Sequence, residues 1–343
     1  MKLNWPWQHQ RSGDRLVIGG TADALVFAHS DSAGRLKRCG SAARAAESPQ
    51  DLGRRLRGLG LPSQRVCAVL ALHEAQLLQV EAPAVRAEEM KAAARWKVKD
   101  QVSGHVDELT IDVMFVGDER PRAARQLFVA AARNDTVRGV VRQSQACGLE
   151  VSVIELAETS QRNLQSALAS AEGLGQRATA ALVRHGTQCL LTICAGGELF
   201  YTRRLDWQDL RADGAPPAAQ APIAAALDEL ELQSADYIDY GAEPAAGAAP
   251  SGEAPRLVIE LQRSFDVWER SWPELPLAAL WVEVGEGSAG LVATLQAALG
   301  QRVGLLDAER VFPGFGQTAD TPALRAAVLP LLGALLRQEP LSL

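Results

Sequence analysis

Three glycine-bearing turns are the places in this 343-residue chain where residue type and spacing could do phosphate chemistry. They are Gly19-Gly20-Thr21, Gly186-Thr187 and Gly285-Glu286-Gly287, and each follows an apolar run. A glycine-rich turn after a strand lets backbone N–H groups come close to phosphate oxygens. The same residues also make ordinary hairpin turns, so the sequence poses a choice between cradle and turn. Other constellations are poorer. Ser160 and Ser264 have no His–Asp arrangement beside them, and Glu88-Glu89 reads as charge at a helix start rather than an acid–base pair.

Composition narrows the classes. Apolar residues make up 47% and charged residues 22%, ordinary for a globular protein long enough for two domains. A net charge of −6 gives no general pull toward nucleic acid, and Arg54, Arg55 and Arg57 read as a solvated helix face. The five cysteines (Cys39, Cys67, Cys147, Cys189, Cys194) form no CxxC pair, and the five histidines are scattered singly. Neither a disulfide framework nor a metal site is expected, and the thiols read as reduced and mostly buried. Residues 1–10, with Trp5 and Trp7, lack the apolar core of a signal peptide, and Ala326–Leu336 is too short to span a bilayer. The expectation is a soluble protein that reaches a membrane only through a partner.

The elements that must hold these turns follow from periodicity. Residues 15–38 read as a three-stranded meander, and residues 179–204 repeat it with a second Gly-Thr turn. A helix is expected over 50–59, capped by Ser48, and a strand over 66–72. Between the meanders, residues 75–154 read βαββαβ, the order of a ferredoxin-like α+β module. Its first helix is expected from Ala87 to Val102, with Glu88 and Glu89 in its first turn and Lys97 and Lys99 in its last; its second is capped by Asn134 or Asp135 and ends at Gly148. Helices are expected over 156–171, 223–234, 257–272, 289–299 and 322–337, and a buried strand over 277–284. Residues 212–222 and 241–255, rich in Ala, Pro and Gly, read as linkers.

Paired meanders followed by a strand–GxG–helix unit resemble the ground plan of the actin-like ATPases. More specific words are similar to the PilM-type pilus proteins: EEMKAAARWKVKDQV before ELTIDVMFV, ELAETSQRNLQSA, GELFYTRRL, IELQRSFDVWER and LGQRVGLLDAERVF, in the family's order. Within that group the divergent first turn and the RWKVKD stretch most resemble the MshI branch of MSHA-type pilus systems. The resemblance implies an α/β protein of two actin-like (ribonuclease H-like) lobes with an inserted ferredoxin-like α+β module. The first lobe would cover 1–176 with the module at about 75–152, and the second 177–343 with a loop-rich subdomain at about 210–256. It also implies a place on the cytoplasmic side of a type IV pilus assembly platform, beside its motor ATPase. There it would dock the tail of a PilN- or MshJ-like inner-membrane protein in a groove between module and first lobe, with Trp96 and Phe115 as candidate lining residues.

Actin-like ATPases carry Asp-x-Gly-Thr/Ser in both phosphate loops, because a carboxylate must hold Mg²⁺ through its waters. Here the corresponding residues are Ile18 and Arg184, and a one-residue shift brings in only Val17, Gly19, Val183 or His185. Asp23 lies beyond the turn. Arg184 could bind phosphate without metal, though a strand-end arginine in an ion pair is the plainer reading. Glu286 puts a side chain where backbone would approach adenosine. The residues therefore imply a degenerate site (Gly19, Gly20, Thr21, Gly186, Thr187, Gly285, Gly287), a non-enzymatic scaffold, no metal and no required cofactor. An ATP-binding protein or ATPase of the same machinery is the alternative, as is the cytoplasmic module of a GspL-like secretion protein. GspL proteins add a transmembrane helix and a periplasmic domain, which this sequence does not show.

Overall fold

The computed structural model describes residues 13–21, 24–43, 51, 53, 54, 58, 65–117, 125–208 and 256–338. Two five-stranded sheets of the same topology form the body. In the first, β1 (Arg15–Gly20), β2 (Ala24–Ser30) and β3 (Leu36–Ala43) make an antiparallel meander; β4 (Arg65–Leu70) and β8 (Glu150–Leu156) then add in parallel, in the order β3-β2-β1-β4-β8. The second repeats it: β9 (Ala178–His185), β10 (Gln188–Ala195), β11 (Glu198–Asp206), β12 (Leu277–Glu283) and β13 (Val303–Leu305), in the order β11-β10-β9-β12-β13. The repeated meander seen in the sequence is thus the visible part of a whole repeated sheet. Strands of the second sheet read as near-continuous apolar runs, as in ALV and CLLTICA, because both faces are covered.

Two helices fill the space between the sheets. Helix α3 (Ala157–Ala171) packs on β9 and β10, and the C-terminal helix α7 (Pro322–Leu335) crosses back onto β1 to β4. Val17, Val26 and Val69 of the first sheet share one core with Ala181, Val183 and Trp281 of the second and with Leu164, Leu168, Leu331 and Leu332 of the helices. The helices cross closely at Gly333, where a Cβ would lie 1.7 Å from the Ser160 carbonyl oxygen, and Ser160 Oγ donates to the Pro330 carbonyl at 2.5 Å. Arg15 caps the end of α7 by donating to the Leu335 and Arg337 carbonyls at 3.1 and 2.5 Å.

The inserted module departs from the βαββαβ reading in one respect. Its sheet holds three strands, β5 (Ala75–Glu81), β7 (Gln126–Arg133) and β6 (Leu109–Phe115), in the order β5-β7-β6. The expected fourth strand, β8, pairs in parallel with β4 of the first lobe instead, and α2 (Asn134–Ala146) leads the chain back to it. Beside β4 the run VSVIEL forms the edge of the first sheet and stays half-buried, with Glu155 its one fully buried residue. Helix α1 (Ala87–Lys97) covers one face of the module sheet through Ala94 and Val98. It ends five residues earlier than expected, continuing as turns to residue 101.

Helix α2 starts one residue after Arg133, and Asn134 does not cap it. Its side chain accepts from Thr110 Oγ1 at 2.8 Å and donates to the Asp107 carbonyl, tying α2 to the module. Gly148, with φ 76°, ends the helix as expected. Helix α4 (Arg256–Ser271) buries Leu257, Leu261, Phe265 and Trp268 on the second lobe. Helix α5 (Ser288–Leu299), the short α6 (Phe315–Thr318) and α7 complete the chain. Of the expected helix over 50–59, Asp51, Gly53, Arg54 and Gly58 are described and helical. Trp5, Trp7, Asp23, Ser48, Arg55, Arg57, the helix over 223–234 and the loop-rich stretch at 210–255 lie outside the described residues. Among the described residues no helix is long and apolar enough to cross a membrane.

Candidate functional site

The glycine turns leave their sheets at equivalent places, the C-terminal ends of β1, β9 and β12, where ligands of α/β folds usually sit. What holds each turn is local. Thr21 closes the first: its N–H donates to the Ala24 carbonyl at 2.9 Å, and its Oγ1 accepts from the Ala24 N–H at 3.1 Å. Gly19 is extended, and a Cβ there would lie 2.7 Å from Leu331 Cδ2, so this glycine makes room for α7. Gly186, at φ 65°, is the first residue of the two-residue turn from β9 to β10, a position that favours glycine. Arg184 folds onto that turn. Its Nε donates to the Gly186 carbonyl at 2.8 Å, and its guanidinium lies 5.3 Å from the Trp207 ring centroid.

The third turn is also satisfied from within. Glu283 accepts from the Gly285 N–H at 2.8 Å, while Ser288 Oγ accepts from the Val284 N–H and donates to the Gly285 carbonyl. Burial raises the Glu283 carboxyl above its ordinary range, against the pull of the Gly285 N–H and the Ser288 hydroxyl. Glu286 is exposed. A cavity of about 430 Å³ opens beside Ile18, Gly19 and Gly20, against Thr136, Gly139 and Arg142 of α2. Its one carboxylate is Glu74, whose Oε2 accepts the Ala71 N–H at 2.8 Å. Gly186, Thr187, Gly285 and Gly287 do not line it. Among the described residues, neither Ile18 nor Arg184 offers a carboxylate to Mg²⁺, and the turns of the two lobes do not line one cavity.

The larger concavity lies elsewhere. A groove of about 760 Å³ runs under the module sheet, on the face away from α1. Alternation along the strands makes it: Leu78, Val80, Leu127 and Val129 point to α1, so Leu77, Met114, Phe128 and Ala130 point to the groove. The opposite wall is Ile154 and Leu156 of β8 with Thr159 and Arg162 of α3. The β10–β11 turn of the second lobe supplies a third side through Gly196, Glu198 and Leu199. There the module is tied to the second lobe: the Gly117 N–H donates to the Leu199 carbonyl at 2.8 Å, and a Cβ on Gly117 (φ 68°) would lie 2.4 Å from Phe200.

Charged side chains line the groove and are bonded to neighbours. Arg337 Nη1 donates to Glu155 Oε2 at 2.8 Å, and Arg162 donates to Asn163 Oδ1 at 2.8 Å. Phe115, 40% exposed, lies on this rim with the Arg125 guanidinium 3.7 Å from its ring centroid. Trp96 does not line the groove. It stands on α1, across the module sheet, and is 68% exposed. Of the two aromatics proposed together from sequence, Phe115 therefore lines the groove and Trp96 does not. The sequence does not single out the groove's other lining residues, since nothing in a strand's alternation says which of its two faces stays open. The five cysteines are all free; burial pushes Cys39 up to about 11 and Cys189 up to about 12, which leaves them protonated at neutral pH.

No protein-family model matches the chain, and no curated protein matches it. Solved structures do. The chain is similar to the PilM-PilN type IV pilus biogenesis complex, with a TM-score of 0.64 at 17% identity over 94% of this chain and 98% of that one. A protein with actin-like ATPase fold from Bacteroides thetaiotaomicron aligns with a TM-score of 0.45 at 9% identity over 92% of this chain and 98% of that one. The cytoplasmic domain of EpsL of the Vibrio cholerae type II secretion system aligns at 0.41 and 13% identity, over 58% of this chain and 76% of that one. With its duplicated sheets and two central helices, the chain has a two-lobed α/β actin-like fold, shared over nearly its whole length with the PilM-PilN structure.

Proposed function

We propose that this protein is a non-enzymatic scaffold of a type IV pilus assembly platform. It docks the cytoplasmic tail of a PilN- or MshJ-like inner-membrane protein in the groove under the module sheet. The observation that carries the reading is the groove itself: apolar along its floor, charged at its rim, and walled by the module, the first lobe and the second lobe together. An extended tail laid there touches all three. The likeness to the PilM-PilN structure supports the choice of partner, and the sequence words shared with the MshI branch favour an MSHA-type system. The protein then sits on the cytoplasmic face of the inner membrane, held by that partner and in reach of the motor ATPase.

Absence of catalysis is part of the proposal. Ile18 and Arg184 stand where actin-like ATPases carry their loop carboxylates, and the turns are closed by groups of the chain itself. Isothermal calorimetry with a synthetic peptide of the N-terminal tail of a PilN-like protein tests docking. Saturable binding at one site is expected, and no heat with any such tail from a pilus system would sink the reading. The ATP-binding reading keeps one observation in its favour, the cavity beside Gly19 and Gly20 with Arg142 on its wall. A melting scan with ATP and Mg²⁺ separates the two.

A further inference from the structure

We propose that the outer stripe of α1 is a self-complementary surface, through which two copies of this chain pair antiparallel about a two-fold axis. The inner stripe, Met90, Ala94 and Val98, packs on the module sheet. Half a turn away run Glu89, Ala92 and Trp96, spaced 3 and 4, the spacing that keeps residues on one helical face, and Lys99 follows in the turn that continues α1. All four are exposed, with Trp96, at 68%, the largest exposed apolar side chain among the described residues. A tryptophan so placed, on a rigid helix and next to a bare alanine, is the composition of an interface centre rather than of a solvated face.

The order of residues along the stripe selects the occupant. An antiparallel mate centred between residues 92 and 96 sets Trp96 of one copy over Ala92 of the other, large against small. The same register sets Lys99 against Glu89, cation against anion, and the two-fold repeats both contacts. A parallel mate instead sets like on like, Trp96 on Trp96 and Lys99 on Lys99. The neighbouring lysines of the helix are already used within the chain: Lys91 pairs with Asp112 at 3.0 Å and Lys97 with Glu81 at 4.0 Å. Neither Glu89 nor Lys99 has an ion-pair partner among the described residues. A bilayer surface is a poorer match, because Glu88 and Glu89 stand beside the tryptophan and repel anionic lipid. One helix stripe is smaller than a standard interface of about 800 Å² per partner, so the dimer is a weak one that forms with concentration. The surface lies across the module from the groove and leaves that groove open.

Sedimentation velocity on the full chain, from about 10 μM to about 1 mM, tests this. The wild type is expected to shift from monomer to dimer. W96A and K99E should each move the midpoint at least about tenfold to higher concentration. E89K should weaken pairing as well, although it brings the net charge nearer zero, where general repulsion alone would strengthen association. The double swap E89K/K99E should restore the wild-type midpoint, because it exchanges the two ends of the same pair. All these positions are exposed, so folding is not at stake. A chain that stays monomeric throughout, a dimer insensitive to K99E, or a double swap that fails to rescue overturns the proposal. So does loss of binding to vesicles containing phosphatidylserine on W96A in a chain that never dimerises.

Discussion

Arg204 of the second lobe reaches Glu158 at the head of α3 with two N–H donors, Nη2 at 2.5 Å and Nε at 3.0 Å, both to Oε1. The same guanidinium donates to the Leu72 and Ala75 carbonyls at 2.5 and 2.9 Å, where the first lobe passes into the module. One side chain thus joins second lobe, connecting helix, first lobe and module. Glu158 is buried, and Arg204 is the cation paired with it.

Removing the arginine should therefore cost more than a surface ion pair. Arg204→Met leaves a buried carboxylate unpaired, and urea unfolding should show a loss of about 3–5 kcal/mol. The double variant Arg204→Met/Glu158→Leu should recover a large part of it, since no charge is then stranded. A loss below about 1 kcal/mol for the single variant would show that the lobes are not held this way.

Glycine positions separate packing from flexibility. Gly333→Ala should destabilise strongly or block folding, because its Cβ meets backbone of α3 at 1.7 Å. Gly290→Ala in α5 meets nothing within 4 Å and should stabilise by about 0.5–1 kcal/mol. Thermal denaturation of both variants checks the pair.

His185 predicts a pH dependence. Burial, with the nearby Arg204 charge second, lowers its pKa from 6.5 to about 4, and its Nε2 lies 3.3 Å from Gln161 Oε1. A depressed histidine pKa means that the unfolded chain binds the proton more readily. Stability from this group is complete above pH 6.5, falls as pH drops toward 4, and falls no further below. The loss amounts to roughly 3 kcal/mol, at about 1.4 kcal/mol per pH unit. His185→Gln should flatten this limb of the stability–pH curve, and an unchanged limb would place the titrating group elsewhere.

At the groove, Phe115→Ala is expected to weaken peptide binding about tenfold while leaving the melting temperature within about 1 °C, because the ring is exposed on the rim. Equal loss of binding and stability would make Phe115 a structural residue instead.

With ATP and Mg²⁺ the melting temperature should move by less than about 1 °C, since a ligand stabilises only as far as it binds the native state. A saturable rise of several degrees would restore the nucleotide-binding reading and point to the cavity at Gly19 and Gly20.

Much of this architecture is legible in the residues themselves. Periodicity and turn chemistry are local, so the two meanders, most helices and the glycine turns follow from the sequence, as does the lack of a carboxylate at Ile18 and Arg184. Strand partnership is not local. The run VSVIEL reads as a strand in either setting, and only its parallel pairing with β4 in the folded chain places it in the first lobe. Nor does alternation tell which face of β5, β6 and β7 is covered. The helix α1 takes one face and the other becomes the groove, so Trp96, carried on α1, is kept out of it. Gly19 shows the same limit: its type marks a place where backbone is approached closely, and the fold makes the approaching group Leu331.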